Sequence, residues 1–175
     1  MAKRTHLGLV AAQEQLDRGI LYYYGRGVPQ DYGLAREWFQ KAAAQGLAKA
    51  QYNIGTLYAG GQGVPKDYKK AREWYELAAA QGYPFALSAL ALLYAKGLSV
   101  PQDYSKAKVL WEQAASQGNV DAQVNLGKLY AGAKGVDQDL LMARAWWNLA
   151  AAQGDEDAQA YINWLNDNVG VVLVN

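Results

Sequence analysis

Apolar residues fall along this chain in two alternating helical stripes that return every 36 residues. Between residues 48 and 61, Ala50, Ile54, Leu57 and Tyr58 stand at i, i+4, i+7 and i+8, which is one face of a helix. Between residues 67 and 82, Ala71, Trp74, Tyr75 and Ala78 stand at i, i+3, i+4 and i+7, a second face on which small residues flank large rings. The wording around that second stripe is nearly duplicated, as DYGLAREWFQKAAAQG from Asp31 to Gly46 and DYKKAREWYELAAAQG from Asp67 to Gly82. Weaker copies start at Asp103 and Asp139, and the Gln-Gly endings fall at Gln45, Gln81, Gln117 and Gln153, 36 residues apart each time. A constant period of this length makes each unit one small supersecondary piece that is stable only when neighbours cover its face.

Local signals give each unit its punctuation. The first helix of unit two stops at GGQGVP, residues 60 to 65, because adjacent glycines permit left-handed backbone and the residue before proline avoids the helical region. Asp67 follows as the N-cap of the second helix, with Asp31, Asp103 and Asp139 in the same role, and Gly46, Gly82, Gly118 and Gly154 end those helices. Gly55 costs its helix about 1 kcal/mol relative to Ala, so it predicts a close approach by a second helix. The same slot holds Gly19, Ala91 and Gly127. The ring stripe is expected to bury Trp38, Trp74, Trp111 and Trp146, with Tyr22, Tyr58, Tyr94 and Tyr130 at another repeat-determined position.

The units differ at their edges. Thr5 is the expected cap of the first helix, and unit one has Glu14 where unit two has Ala50, as expected where one side of a terminal unit faces water. Pro84 opens the first helix of unit three, Ser99 departs from the Gly-rich turn, and Asp137 replaces the usual Pro of unit four. After Gly154 comes a half unit with Asp155 as N-cap and Ala158, Ile162 and Leu165 as its apolar face, expected to cap the stack. The division is then a single domain over 1–168, with repeats about 11–46, 47–82, 83–118 and 119–154, a capping helix about 155–168, and an apolar tail over 169–175.

The 175 residues are 51% apolar, enough for a packed core. A net charge of +1, with cations spread along the array, argues against nucleic acid and anionic membrane as partners. The absence of cysteine removes disulfides and thiolate sites. No run is long enough to span a bilayer, and the basic N-terminus has too short an apolar stretch for a signal peptide. Cytoplasm is the expected compartment, with periplasm the alternative if a leader has been removed.

Read as A-x-x-x-I/L-G-x-L-Y, then G-x-G-V-P-x-D-Y, then A-x-x-W-Y-x-x-A-A-x-Q-G, the units resemble the Sel1-like repeat, a relative of the tetratricopeptide repeat. Unit two carries each element, and the resemblance covers about residues 11 to 168. It implies an all-α fold, an α-solenoid of antiparallel helix pairs in a right-handed superhelix with first helices lining the concave surface. It also implies scaffold or adaptor roles, and some family members serve in toxin immunity.

No reactive constellation accompanies the repeats. His6 is the single histidine, Asp155, Glu156 and Asp157 are explained by helix capping, and the Gly-rich turns lack the phosphate-loop pattern. We expect no enzyme, no cofactor and no metal. By the tetratricopeptide relation, the concave positions of unit two are Lys49, Tyr52, Thr56, Ala59 and Gly60. Unit one offers Gln13, Leu16, Ile20, Tyr23 and Tyr24; unit three Phe85, Ser88, Leu92, Ala95 and Lys96; unit four Asp121, Val124, Lys128, Ala131 and Gly132. From these, Leu16, Tyr23, Tyr24, Tyr52, Thr56, Phe85, Leu92, Lys96, Val124 and Lys128 are the expected partner-binding set. The N-terminal half reads apolar and aromatic, and Lys96 and Lys128 add positive charge further on.

Such a groove suits a protein or peptide with an apolar anchor and an acidic group. In the competing reading, Tyr52, Phe85 and Leu92 simply fill a tight interior. Two other roles remain open: an inhibitor or immunity protein against a toxic enzyme, and a self-associating subunit joined through Val169 to Val174.

Overall fold

The computed structural model describes residues 2–169. Nine helices and no strands occur among the described residues: α1 (Ala2–Tyr24), α2 (Tyr32–Ala43), α3 (Ala48–Gly60), α4 (Tyr68–Ala79), α5 (Pro84–Lys96), α6 (Tyr104–Ala115), α7 (Val120–Ala131), α8 (Leu140–Ala151) and α9 (Glu156–Val169). Each helix packs on its neighbours in sequence, most extensively on its partner within the same unit. The apolar stripes thereby form four core clusters that follow one another from α1 to α9 and share the half-buried Tyr58, Tyr94 and Tyr130, the α-solenoid expected of a period that cannot bury its face alone.

The caps sit where the pattern places them. Asp31 accepts from the Leu34 backbone N–H at 2.9 Å, Asp67 from Lys69 and Lys70 at 3.0 Å, Asp103 from Lys106 at 2.9 Å and Asp139 from Met142 at 2.9 Å. Asp155 likewise accepts from Ala158, at 2.7 Å. Past each second helix a glycine closes a Schellman motif. Gly46 donates to the Ala43 carbonyl and Leu47 to that of Ala42, with φ of 85° at Gly46. Pro84 is in the first turn of α5, as expected. Thr5 instead lies within α1, which begins at Ala2, so it is not the cap; its side chain and that of His6 are outside the described residues. The tail from Gly170 to Val174 lies outside them as well.

The two helices of a unit are held at close range by a ring seated on the slot glycine. A Cβ built at Gly19 would stand 2.5 Å from the Phe39 ring, and one at Gly55 2.5 Å from the Tyr75 ring. At Gly127 the neighbour is the Trp147 indole, whose N–H donates to the Val124 carbonyl at 3.2 Å. Unit three has Ala91 in the slot, and Trp111 is the ring in its core. The buried ring position is therefore Phe39, Tyr75, Trp111 and Trp147. This corrects the expected stripe: Trp38, Trp74 and Trp146, one residue earlier, are half-buried at its margin. Both rings of each pair sit on the apolar arc of the helix, and only the later one faces the slot.

An amide pair closes three of the units. Gln45 Nε2 donates to Gln15 Oε1 at 2.8 Å, Gln81 to Gln51 at 2.8 Å and Gln153 to Gln123 at 2.9 Å. In unit three Leu87 takes the acceptor's place, and Gln117 turns to the Gln113 carbonyl of its own helix.

The inter-helix turns need left-handed backbone at two positions. The first is Gly25, Gly61 and Gly97, and the second is Gly27, Gly63 and Gly135. Two units depart from glycine: Ala133 has φ of 50° at the first position and Ser99 φ of 62° at the second. Ser99 recovers a bond from its hydroxyl to the Tyr68 carbonyl at 3.2 Å, whereas exposed Ala133 has no side chain to offer one.

Two outcomes follow. Gly55→Ala is expected to lower unfolding free energy in urea by about 1–3 kcal/mol, although alanine is the better helix former, because its methyl meets the Tyr75 ring. Ala133→Gly is expected to raise it by about 1 kcal/mol in the same measurement, through relief of left-handed strain.

Candidate functional site

Residues of α1 and α3 and the turn after α1 enclose a cavity of about 460 Å³. Ile20, Tyr23, Tyr24, Lys49, Tyr52 and Thr56, all expected on the concave row, line it together with Arg26 and Asn53, and Phe39 forms part of the wall. Successive turns of α1 bring Ile20, Tyr23 and Tyr24 to one side, and the repeat places Tyr52 and Thr56 opposite them. The Tyr23 and Tyr24 rings meet edge to face at 4.8 Å, and the Arg26 guanidinium lies 4.8 Å from the centre of the Tyr24 ring. Tyr23 donates its hydroxyl to Gln62 Oε1 at 2.9 Å, which fixes the ring against the neighbouring turn.

From Tyr52 the aromatic surface continues onto the start of α5. Its ring centre lies 5.6 Å from Tyr83 and 6.1 Å from Phe85, and those two are 5.5 Å apart. Beneath it, Tyr75 is 5.7 Å away. Phe85 remains 47% exposed and Tyr24 58%, so the surface ends in two open rings at places where the repeat requires none. Tyr52 contacts neighbouring rings, as in the packing reading, while Tyr24 and Phe85 face solvent.

Burial raises the hydroxyl pKa of Tyr75 to about 12, with the Thr56 hydroxyl partly offsetting it. Burial also raises Tyr52, again with Thr56 opposing, and the Asp121 carboxylate of α7 adds to the rise. Tyr23 and Tyr83 are raised for the same first reason.

The remaining expected residues divide. Leu16 is 0% and Val124 7% exposed; both belong to core clusters and are not surface anchors. They share the repeat position of Tyr52, where a side chain reaches the groove only if it is as long as tyrosine. Ser88, at the same position, and Ala95 are buried too. Leu92 packs partly against the α5–α6 core, and Lys96 is exposed away from the aromatic cavity.

Lys128 belongs to a second cavity of about 530 Å³ between α7 and α9, lined by Ala131, Gly132, Trp147, Ala160, Tyr161 and Trp164. Its ammonium lies 5.0 Å from the centre of the Tyr161 ring, which stacks on Trp147 at 4.9 Å, and Trp164 is 53% exposed. The C-terminal half of the row is thus aromatic as well as cationic. Sequence reasoning missed Tyr161 and Trp164 because the last half unit was read only as a cap. One more step of 36 from Lys128 leads to Trp164. Arg26 and Tyr83 were missed because they lie outside the repeat's first-helix positions. Among the described residues no group of three His, Cys, Asp or Glu side chains gathers around a metal-sized space.

The family model described as Sel1 repeat matches residues 15–47, 48–83, 84–119 and 120–155. Among solved structures, a Sel1 repeat protein from Oxalobacter formigenes is 33% identical with a TM-score of 0.83, over 88% of this chain and 63% of that one. The protective antigen c5321 of uropathogenic Escherichia coli, which displays an SLR fold, is 36% identical with a TM-score of 0.78, over 90% of this chain and 34% of that one. The immunity protein Pa5087 from Pseudomonas aeruginosa, 24% identical with a TM-score of 0.60 over 95% of this chain and 60% of that one, shares the fold. The chain spans less than two thirds of the length of each of these three. Comparison with curated proteins finds no match.

The Tyr75 hydroxyl keeps its proton in the folded state at pH values where the unfolded chain has lost it. Stability is therefore expected to be unaffected by this group below about pH 10 and to fall by about 2–3 kcal/mol as pH rises towards 12. Urea melts between pH 9 and 12 check this, with Tyr75→Phe removing that part of the decline.

Proposed function

This chain belongs to the Sel1 repeat family, and we propose that it is a non-enzymatic scaffold that holds a partner protein in the groove along its first helices. The family is one of protein-interaction scaffolds, which gives the class of partner. What supports this groove in particular is the pair of open rings, Tyr24 and Phe85, flanking Tyr52 at positions the stack does not need. Rings held by neighbours offer large contact area with little side-chain entropy left to lose on binding. The chemistry at hand is that of recognition. The tyrosines whose acidity is perturbed are made weaker acids by burial, the opposite of what proton transfer near neutral pH requires.

Neutralising a toxic enzyme is a narrower form of the same reading, in which the occupant is the toxin. The likeness to immunity protein Pa5087 is one of fold, so it gives this version less support than the groove gives the general one.

Tyr24→Ala, Tyr52→Ala and Phe85→Ala combined are expected to weaken capture of the partner from a native extract by tenfold or more (about 1.4 kcal/mol per factor of ten). Helicity by circular dichroism should stay close to that of the parent. A triple variant that is folded and binds as before would exclude the groove.

A further inference from the structure

Lys49, Phe85 and Asp121 occupy one repeat position in three successive units, at the starts of α3, α5 and α7. One edge of the groove therefore reads cation, open ring, anion. We propose that the occupant is an extended peptide segment that lies along this edge with its own charges in the opposite order: a carboxylate against Lys49, an apolar or aromatic side chain on Phe85, and a cation against Asp121.

Two separate observations fix the ends. The cavity between α1 and α3 is lined by two cations, Arg26 and Lys49, and by no carboxylate. Of the acids on α1, Asp17 accepts a hydrogen bond from Gln13 Nε2 at 2.8 Å. A partner carboxylate at this end meets the positive charge of Arg26 and Lys49 beside tyrosine rings. At the other end Asp121 is exposed in the first turn of α7, at the repeat position of Lys49 and Phe85. It puts a negative charge on the same edge and favours a cation there. Between them, Phe85 presents a half-open ring supported by Tyr52 and Tyr83.

Spacing gives the segment a length. The Tyr52 and Phe85 rings of α3 and α5 are 6.1 Å apart, which sets neighbouring first helices roughly 10 Å apart and Lys49 and Asp121 roughly 20 Å apart. An extended chain covers that in about six residues. The expected motif is an acidic residue, then about three residues later an apolar or aromatic one, then after about three more a Lys or Arg.

The proposal rests on the groove reading above, and its test separates the two. A phage-displayed library of random dodecapeptides is panned on the full chain, and the enriched peptides are synthesised and titrated by fluorescence anisotropy. The expected result is enrichment of acid, ring and base in that order and spacing. Lys49→Glu should weaken binding by about tenfold and be rescued by a peptide carrying Lys in place of its acid. Asp121→Lys should behave reciprocally with a peptide carrying Glu in place of its base. Peptides enriched without that charge order, or bound equally well by both charge variants, overturn the proposal while leaving the groove in place if Tyr24→Ala and Tyr52→Ala still weaken them. Binding indifferent to those two tyrosine variants overturns both readings. Failure to enrich any peptide also overturns the charge-ordered segment, since the library contains the motif.

Discussion

Two helices can approach only as closely as the side chains between them permit, and in this chain that limit is set by an absent methyl group. At Gly19, Gly55 and Gly127 the first helix offers bare backbone, and the ring of Phe39, Tyr75 or Trp147 lies directly on it. The glycine alone would weaken its helix, and the ring alone would hold the helices apart; together they fix the distance and rotation of the pair. Everything outward of the contact inherits that rotation, including which residues of α1, α3, α5 and α7 turn toward the groove. Unit three, with Ala91, achieves the packing with a methyl in the slot, and its Trp111 indole N–H is buried without a partner, whereas Trp147 bonds to the backbone.

Much of this was legible in the sequence because the period multiplies weak signals. Four Asp caps, four Gln-Gly endings and four small slot residues in phase leave little choice of elements or boundaries. What remained hidden was decided by side-chain length and by neighbours. Trp38 and Phe39 both belong to the apolar arc of α2, and only the location of the facing glycine picks the second as the buried ring. Leu16, Tyr52, Ser88 and Val124 are equivalent in the repeat, yet only tyrosine extends beyond the packing that covers the others. The Gln15–Gln45 bond and its copies join residues 30 positions apart, a separation that no helical periodicity brings to notice.

The stack and the groove use different residues and so carry different information. Ring, slot, cap and amide pair are nearly invariant from unit to unit within this chain because each performs the same mechanical task. Along the groove edge the sequence instead changes at every step, from Gln13 to Lys49, Phe85 and Asp121, with no visible cost to the helices beneath. These are the positions the architecture constrains least.

The amide pairs add a property of another order. Because Gln45, Gln81 and Gln153 each bond back to a first helix of their own unit, three of the units carry an amide closure that uses no neighbour, while Tyr23–Gln62 and Ser99–Tyr68 join one unit to the next. A segment closed in this way behaves as a cassette. Duplication or loss of 36 residues leaves the remaining amide pairs intact and changes the length of the stack. Genetic rearrangement can thus resize the stack in whole steps, with its exposed positions then altered one residue at a time.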